Sequence, residues 1–298
     1  GRLNRKTLFS SDLRSQWVQQ QLKTVWDNYL DGINFDIEYA CSPSQKYFKK
    51  SYTALVKETS DVFRQMMPHT QISVDVIAEA TSHYRAYDYQ GLAKYSDFFF
   101  IMAYDESVHK VGPNSGYHAA HWAITSYLRH KIPASKLVLG LPWYGDLYHC
   151  SSFDGEHCMP HWSHPISQVC YCGIMNTLNS VPDNYRWNSS SQTPYFSYKD
   201  GDKLYQIQYD NPESLGLKYK LASDMGIRGV GMWHIDCLDF SASDSAEKMR
   251  KSMFDPLPTW KEQKKDALKY VSEGDYASDV KDKFYSFLSP QDTVKQII

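Results

Sequence analysis

Apolar residues recur at spacings near three and four over residues 11–30, where Leu13, Trp17, Leu22, Val25, Trp26 and Tyr29 mark one face of an amphipathic helix. Ser10 or Ser11 suits its N-cap, with Asp12 in the first turn. The pattern then changes to alternation. Residues 32–38 read Gly-Ile-Asn-Phe-Asp-Ile-Glu, a strand with Asn34, Asp36 and Glu38 on one face and Ile33, Phe35 and Ile37 on the other. Helical spacing resumes at about 45–67, through Leu55, Val56 and Val62. Residues 72–77 form a short β-branched strand, and 98–103 form another after the turn-like Tyr95-Ser96-Asp97. A helix is predicted over 117–131, ending before Pro133, and a strand over 137–141, closed by Pro142. Residues 143–200 are rich in Cys, His, Ser, Asn and Pro and read as loops. A helix at 211–225, a strand at 227–233 punctuated by Gly229 and Gly231, and a helix near 243–254 complete the pattern.

Strands that alternate with helices imply parallel β/α units. The expected class is therefore α/β, of the TIM-barrel type, with about five of the eight units such a barrel needs. Too little chain precedes residue 32 to hold three more strands, which would take roughly 80–100 residues, so the barrel is expected to be truncated at its N-terminus. The expected organisation is a partial barrel over 1–257, with a loop-rich insertion at about 143–210. A mixed-charge helical tail over 258–298 follows, with Lys261, Glu262, Lys264, Lys265 and Asp266 ahead of Val280, Phe284 and Leu288.

The formal net charge of −2 argues against nucleic acid and against an anionic membrane surface. No apolar run reaches the roughly 18 residues of a membrane span, and no secretory signal stands at Gly1. Eight Trp and 23 Tyr serve equally as core and as sugar-stacking surface. Four of the six Cys fall at 150, 158, 170 and 172, among His149, His157, His161 and His164. Disulfides are the favoured reading, with zinc ligation as the alternative, because the spacings match no standard zinc pattern. Cys41 and Cys237 are left to pair with each other or with a partner upstream. The sequon at Asn188 and the cysteines fit a secretory-route protein.

Two carboxyls two residues apart on the inner face of a barrel repel each other and lose solvation. Both effects raise at least one pKa, as a general acid near neutral or mildly acidic pH requires. They also stand at the C-terminal end of their strand, where barrel enzymes carry their sites. The bland alternative is an edge strand with solvated carboxylates.

Here the sequence resembles a family. Residues 31–38, Asp-Gly-Ile-Asn-Phe-Asp-Ile-Glu, are similar to the signature of the family 18 glycoside hydrolases. Further segments follow in that family's order: Met102-Ala103-Tyr104-Asp105, Gly140-Leu141-Pro142-Trp143-Tyr144-Gly145, the stretch from Tyr209 to Ser214, and Gly229-Val230-Gly231-Met232-Trp233. The resemblance implies a substrate-assisted retaining glycosidase that needs no cofactor or metal. Glu38 would be the acid and then the base. Asp36 would orient the substrate's acetamido group, and Tyr104 would donate to its oxygen. Asn34, Met102, Asp105, Tyr144 and Trp233 would line the sugar subsite, with Trp233 as its floor. The family usually has Asp where Asn34 stands and Trp where Ile37 stands, so Asn34 cannot store charge for Asp36. The Asn form, with Leu55-Val56-Lys57-Glu58-Thr59 and Cys237-Leu238-Asp239-Phe240, resembles a lysosomal branch that splits GlcNAc-β-1,4-GlcNAc. The implied partner is a GlcNAc oligosaccharide and the implied state is monomeric. An endo-acting chitinase and a sugar-binding protein without turnover are the alternatives.

Overall fold

The computed structural model describes residues 3–161 and 163–258. These divide into two compact units. One runs through Ala103 and adds His121–Leu139; the other holds Tyr104–Ala120 and the chain from Gly140 on.

The first unit opens with α1 (Arg5–Phe9), a helix the spacing did not reveal, and α2 (Ser11–Asp27). Ser10 is the N-cap of α2 and accepts from the Leu13 N–H. The strand β1 (Gly32–Phe35) is shorter than the alternation predicts, yet the alternation itself continues to Glu38. Phe35 and Ile37 are buried, and Asn34, Asp36 and Glu38 are exposed. The Phe35 ring lies 6.1 Å from Trp17 of α2, so the apolar face of β1 packs on a helix. Gly32 is required by close approach, because a Cβ there would collide with the Gln71 carbonyl.

The long α3 (Lys46–Met66) buries Leu55, Val56 and Phe63. Next comes β2 (Gln71–Ile77), parallel to β1 in the register Asn34 opposite Ser73. Asp97 fixes the start of β2, accepting from the Ile72 N–H at 2.7 Å and from Arg64 at 2.8 Å. The short α4 (Tyr89–Tyr95), capped by Asp88, was also unexpected. It leads to β3 (Phe98–Met102), parallel to β2. A T-shaped aromatic cluster of Tyr89, Phe99 and Tyr127 ties α4, β3 and α5 (Tyr117–Arg129) together. The strand β4 (Leu137–Pro142) is the fourth in the order β1-β2-β3-β4, and it runs on from this unit into the next. The parallel β/α pattern read from the sequence is thus present, with the predicted strands near 33, 73, 99 and 138.

In the second unit the expected loops of 143–210 are instead a six-stranded antiparallel sheet and a helix. The strands are β5 (Tyr144–Asp154), β6 (His157–Pro160), β7 (Ser167–Cys170), β8 (Tyr185–Asn188), β9 (Thr193–Asp200) and β10 (Lys203–Gln208), with α6 (Tyr171–Ser180) between β7 and β8. Their order is β6-β5-β10-β9-β8, and β7 also pairs with β5. The alternation escaped notice because its buried positions carry polar atoms: Asp146, Tyr148 and Cys150 on β5, and Gln206 and Gln208 on β10. Two disulfides pin this region, Cys150–Cys158 and Cys170–Cys237. The pairing of Cys41 with Cys237 is therefore excluded, and Cys41 is a buried free thiol. Both bonds also consume sulfurs that zinc ligation would have needed.

The helix α7 (Pro212–Asp224) begins with a capping box between Asn211 and Ser214. It carries Lys218, whose ammonium is fully buried against Asp210 at 2.5 Å. The strand β11 (Gly229–Trp233), neighbour of β4, is the fifth strand the sequence predicts, and α8 (Asp244–Phe254) follows it. The expected tail, from 259 on, lies outside the described residues. Among these, no helix is long and apolar enough to cross a membrane.

Candidate active site

The strand β1 ends at Phe35, so Asp36 and Glu38 stand on the extended segment just beyond it, held by residues far along the chain. The buried Tyr87 hydroxyl reaches the Ile37 carbonyl at 2.8 Å and the Tyr39 carbonyl at 2.6 Å, one on each side of Glu38. Past Glu38, the Cys41 N–H donates to the Tyr84 carbonyl at 2.7 Å and the Ala86 N–H to the Cys41 carbonyl at 2.8 Å. This short parallel bridge places Arg85 beside the acid, and the Arg85 guanidinium donates to Glu38. The Glu38 side chain remains 50% exposed while Arg85 is largely covered, so one face of the carboxyl is open to an incoming group.

Asp36 shares the polar face with Glu38. Partial burial pushes its carboxyl up although the residue still reaches solvent, Glu38's negative charge adds to the rise, and Arg85 opposes it. β1 is an edge strand of the sheet β1-β2-β3-β4 among the described residues, and both carboxyls reach solvent, as the alternative reading of the sequence has it. Asn34, on the same face, is bound at both ends of its amide. Its Nδ2 donates to Asp75 Oδ2 at 2.8 Å and its Oδ1 accepts from Ser73 Oγ at 2.7 Å. The Asp75 carboxyl is pushed up to about 7, first by burial and then by Asp36 and Glu38, while the bond from Asn34 opposes the rise. Neither Asp75 nor Arg85 was singled out in the sequence. The only available signal was an acidic residue inside the apolar run of residues 72–77. Met102, at the end of β3, is half-buried in this same unit.

In the second unit, Asp105 takes a left-handed backbone conformation, φ 58°. Its N–H donates to Asn114 Oδ1 at 2.8 Å, and its carboxylate accepts from the Tyr144 hydroxyl at 2.6 Å. The Tyr104 and Tyr144 rings meet edge to face with centroids 6.2 Å apart. Burial raises the Tyr144 hydroxyl, and the bond to Asp105 raises it further, so it stays a donor. Three of the expected lining residues, Tyr104, Asp105 and Tyr144, are thus brought together, with Asn114 and Asp146 as members the sequence did not disclose. Trp233 is 52% exposed, and a Cβ added at Gly229 on the same strand would meet nothing within 4 Å. A tryptophan that exposed is not a core residue.

Asp146 carries a prediction. It is buried, one of its oxygens has no hydrogen-bond partner among the described residues, and its carboxyl is pushed up to about 7 by burial and then by Asp105. A folded pKa above the unfolded one means the fold prefers the neutral acid, so stability falls as pH rises from the unfolded value through about 7. Asp146→Asn is expected to raise stability at about pH 8 by as much as ~4 kcal/mol and to change little at about pH 4. Urea unfolding at both pH values checks this; equal effects at the two would refute it.

Comparison with known proteins places the fold in a family. Residues 5–237 match the family model for glycosyl hydrolases family 18. The chain is similar to the di-N-acetylchitobiase of Mus musculus, 33% identical over 277 residues that cover 86% of this chain and 75% of that protein. It is 33% identical to the Homo sapiens di-N-acetylchitobiase over 274 residues, 86% of this chain and 71% of that one. Among solved structures it resembles the family 18 chitinase of Cycas revoluta, bound to (GlcNAc)4, at TM-score 0.70 and 19% identity, covering 84% of this chain and 75% of that one. It also resembles human YKL-39, a pseudo-chitinase with retained chitooligosaccharide binding, at TM-score 0.70 and 18% identity over 85% of this chain and 75% of that one. The fold is of the TIM-barrel type, and the match over most of the described chain makes the protein a glycoside hydrolase. The chain belongs to glycosyl hydrolases family 18.

Proposed function

We propose that this protein hydrolyses the GlcNAc-β-1,4-GlcNAc linkage by substrate assistance, with Glu38 as acid and base. The observation that carries the reading is the polar face of residues 34–38. Asp36 and Glu38 share it, in unlike environments, while Phe35 and Ile37 are buried on the other. Glu38 gives its proton to the glycosidic oxygen. The substrate's acetamido oxygen attacks the anomeric carbon, and the leaving sugar departs as an alcohol. Asp36 accepts from the acetamido N–H and offsets the positive charge of the oxazolinium ion. Glu38, now a carboxylate, takes a proton from water as the water opens that ring and restores the anomeric configuration. Tyr104 donates to the acetamido oxygen, and the Trp233 indole stacks on a sugar face. Likeness to the mouse and human chitobiases favours a disaccharide core over a long polymer, and a lysosomal setting is part of this reading.

A second reading, sugar binding without turnover, is favoured by the engagement of Glu38 with Arg85. Incubation with di-N-acetylchitobiose at about pH 5 separates the two. Release of free GlcNAc is expected; binding of GlcNAc oligomers with no release would establish the second reading.

A further inference from the structure

The turn after β11 sets an imidazole against a disulfide. His234 directly follows Trp233; its Nε2 lies 3.4 Å from Cys237 Sγ, and its Nδ1 is bound to Asp236 Oδ1. An ionised carboxyl only accepts, so Nδ1 carries the proton of that bond. The bond in turn holds the Asp236 carboxyl below its usual range, so Asp236 persists as a carboxylate. A disulfide sulfur has no proton to give. The contact at Nε2 is therefore a hydrogen bond when His234 is an imidazolium, with Nε2–H directed at Cys237 Sγ.

The two sulfurs of this bond differ in access. Cys237 is fully buried, whereas Cys170, at the end of β7 and the N-cap of α6, is half-buried. An attacking thiolate bonds to one sulfur of a disulfide and expels the other. The accessible sulfur is that of Cys170, and the one expelled, that of Cys237, is the one that faces the imidazole. Both sulfurs and a ring nitrogen of His234 lie within 4.8 Å of one another. The other disulfide is enclosed instead: Cys150 and Cys158 are both buried, and Val111, Phe153, Ile166 and Leu204 pack against them.

We propose that Cys170–Cys237 is a site of thiol–disulfide exchange with small thiols of the glutathione class, in which Cys170 receives the incoming sulfur and His234 protonates the departing Cys237. The external thiolate forms a bond to Cys170 Sγ as the Cys170–Cys237 bond breaks. The electron pair of the broken bond goes to Cys237 Sγ, which takes the Nε2 proton. The products are a mixed disulfide at Cys170, a thiol at Cys237 and a neutral imidazole kept in its Nδ1–H tautomer by Asp236. The groups that face His234 are Asp236 and Cys237 of its own turn and Cys170 from the start of α6, and the Trp233 indole beside it is uncharged. Opening the bond unties the turn that follows Trp233 from the start of α6. This chemistry is independent of the hydrolase reading.

The test incubates the folded full chain with reduced glutathione at about pH 7.5, traps thiols with iodoacetamide at early times and maps the products by peptide mass. Cys170–Cys237 is expected to open at least about tenfold faster than Cys150–Cys158, with glutathione on Cys170 and the alkyl group on Cys237. Opening rates divided by the thiolate concentration report the acid. In the wild type they should fall as pH rises and the imidazolium loses its proton. In His234→Asn they should be flat with pH, and at least about tenfold below wild type in the mildly acidic range. In denaturant the two proteins should open at the same rate. A Cys150–Cys158 bond that opens first, glutathione on Cys237, a new bond between Cys170 and Cys172, or a wild-type pH profile as flat as the variant's would each overturn the proposal. Should His234→Asn fail to fold, the wild-type profile and the position of the glutathione decide by themselves.

Discussion

Glu38→Gln is expected to lower turnover of di-N-acetylchitobiose by about 10²–10⁴-fold, the usual contribution of a positioned general acid. Glutamine keeps the length and an acceptor oxygen for Arg85, so the segment held by Tyr87 should keep its place. It has no proton to give at ordinary pH, and it cannot later become the base. Sugar affinity should therefore survive while kcat collapses, the pattern of an interaction made in the transition state. Calorimetric titration of the variant with the disaccharide, beside a GlcNAc release assay, reads both quantities. Full turnover in Glu38→Gln would place the proton donor elsewhere and remove the mechanism proposed above.

Lys218→Met is expected to be the most destabilising single change, by about 3–5 kcal/mol, because it strands a buried carboxylate. Lys218 and Asp210 are both fully covered, and the ammonium also donates to the Ser115 carbonyl. Burial alone pulls the ammonium's pKa down, and the attraction of Asp210 opposes it, so the pair stands or falls together. The methionine replaces volume and removes the charge. In the double variant Asp210→Leu/Lys218→Met the stranded charge is gone, and most of the loss should return. Urea unfolding of the three proteins checks this. A loss below about 1 kcal/mol in Lys218→Met would mean that Asp210 is neutral or solvated in the fold.

The parallel strands were legible because each is a short apolar run bounded by turn residues: Phe98 to Met102 and Leu137 to Leu141 admit few other readings. The antiparallel sheet of 144–208 was not, because a sheet that buries Asp146, Tyr148, Gln206 and Gln208 shows no hydrophobic alternation. Helices α1 and α4 span five and seven residues, too few for a helical period to declare itself. The site divides in the same way. Asp36 and Glu38 were legible from a spacing of two, a local property. Asp75 and Arg85 were not, since they meet Asn34 and Glu38 across 41 and 47 residues of sequence. Only the register of β2 on β1, and the bridge beyond it, brings them there. The cysteines show the same limit: composition suggested disulfides, but the bond between Cys170 and Cys237 spans 67 residues and left no local trace.

The phenol of Tyr87, which clasps the peptide groups on either side of Glu38, ties the place of that carboxyl to chain far from it in sequence. The acid does not ride on a regular strand but on a tether whose anchor belongs to the stretch that follows β2. Lengthening or shortening that stretch would shift the Glu38 carboxyl and leave the register of β1 on β2 in place. The place of the Glu38 carboxyl thus depends on residues 84–87 as much as on the segment 31–38 that carries it.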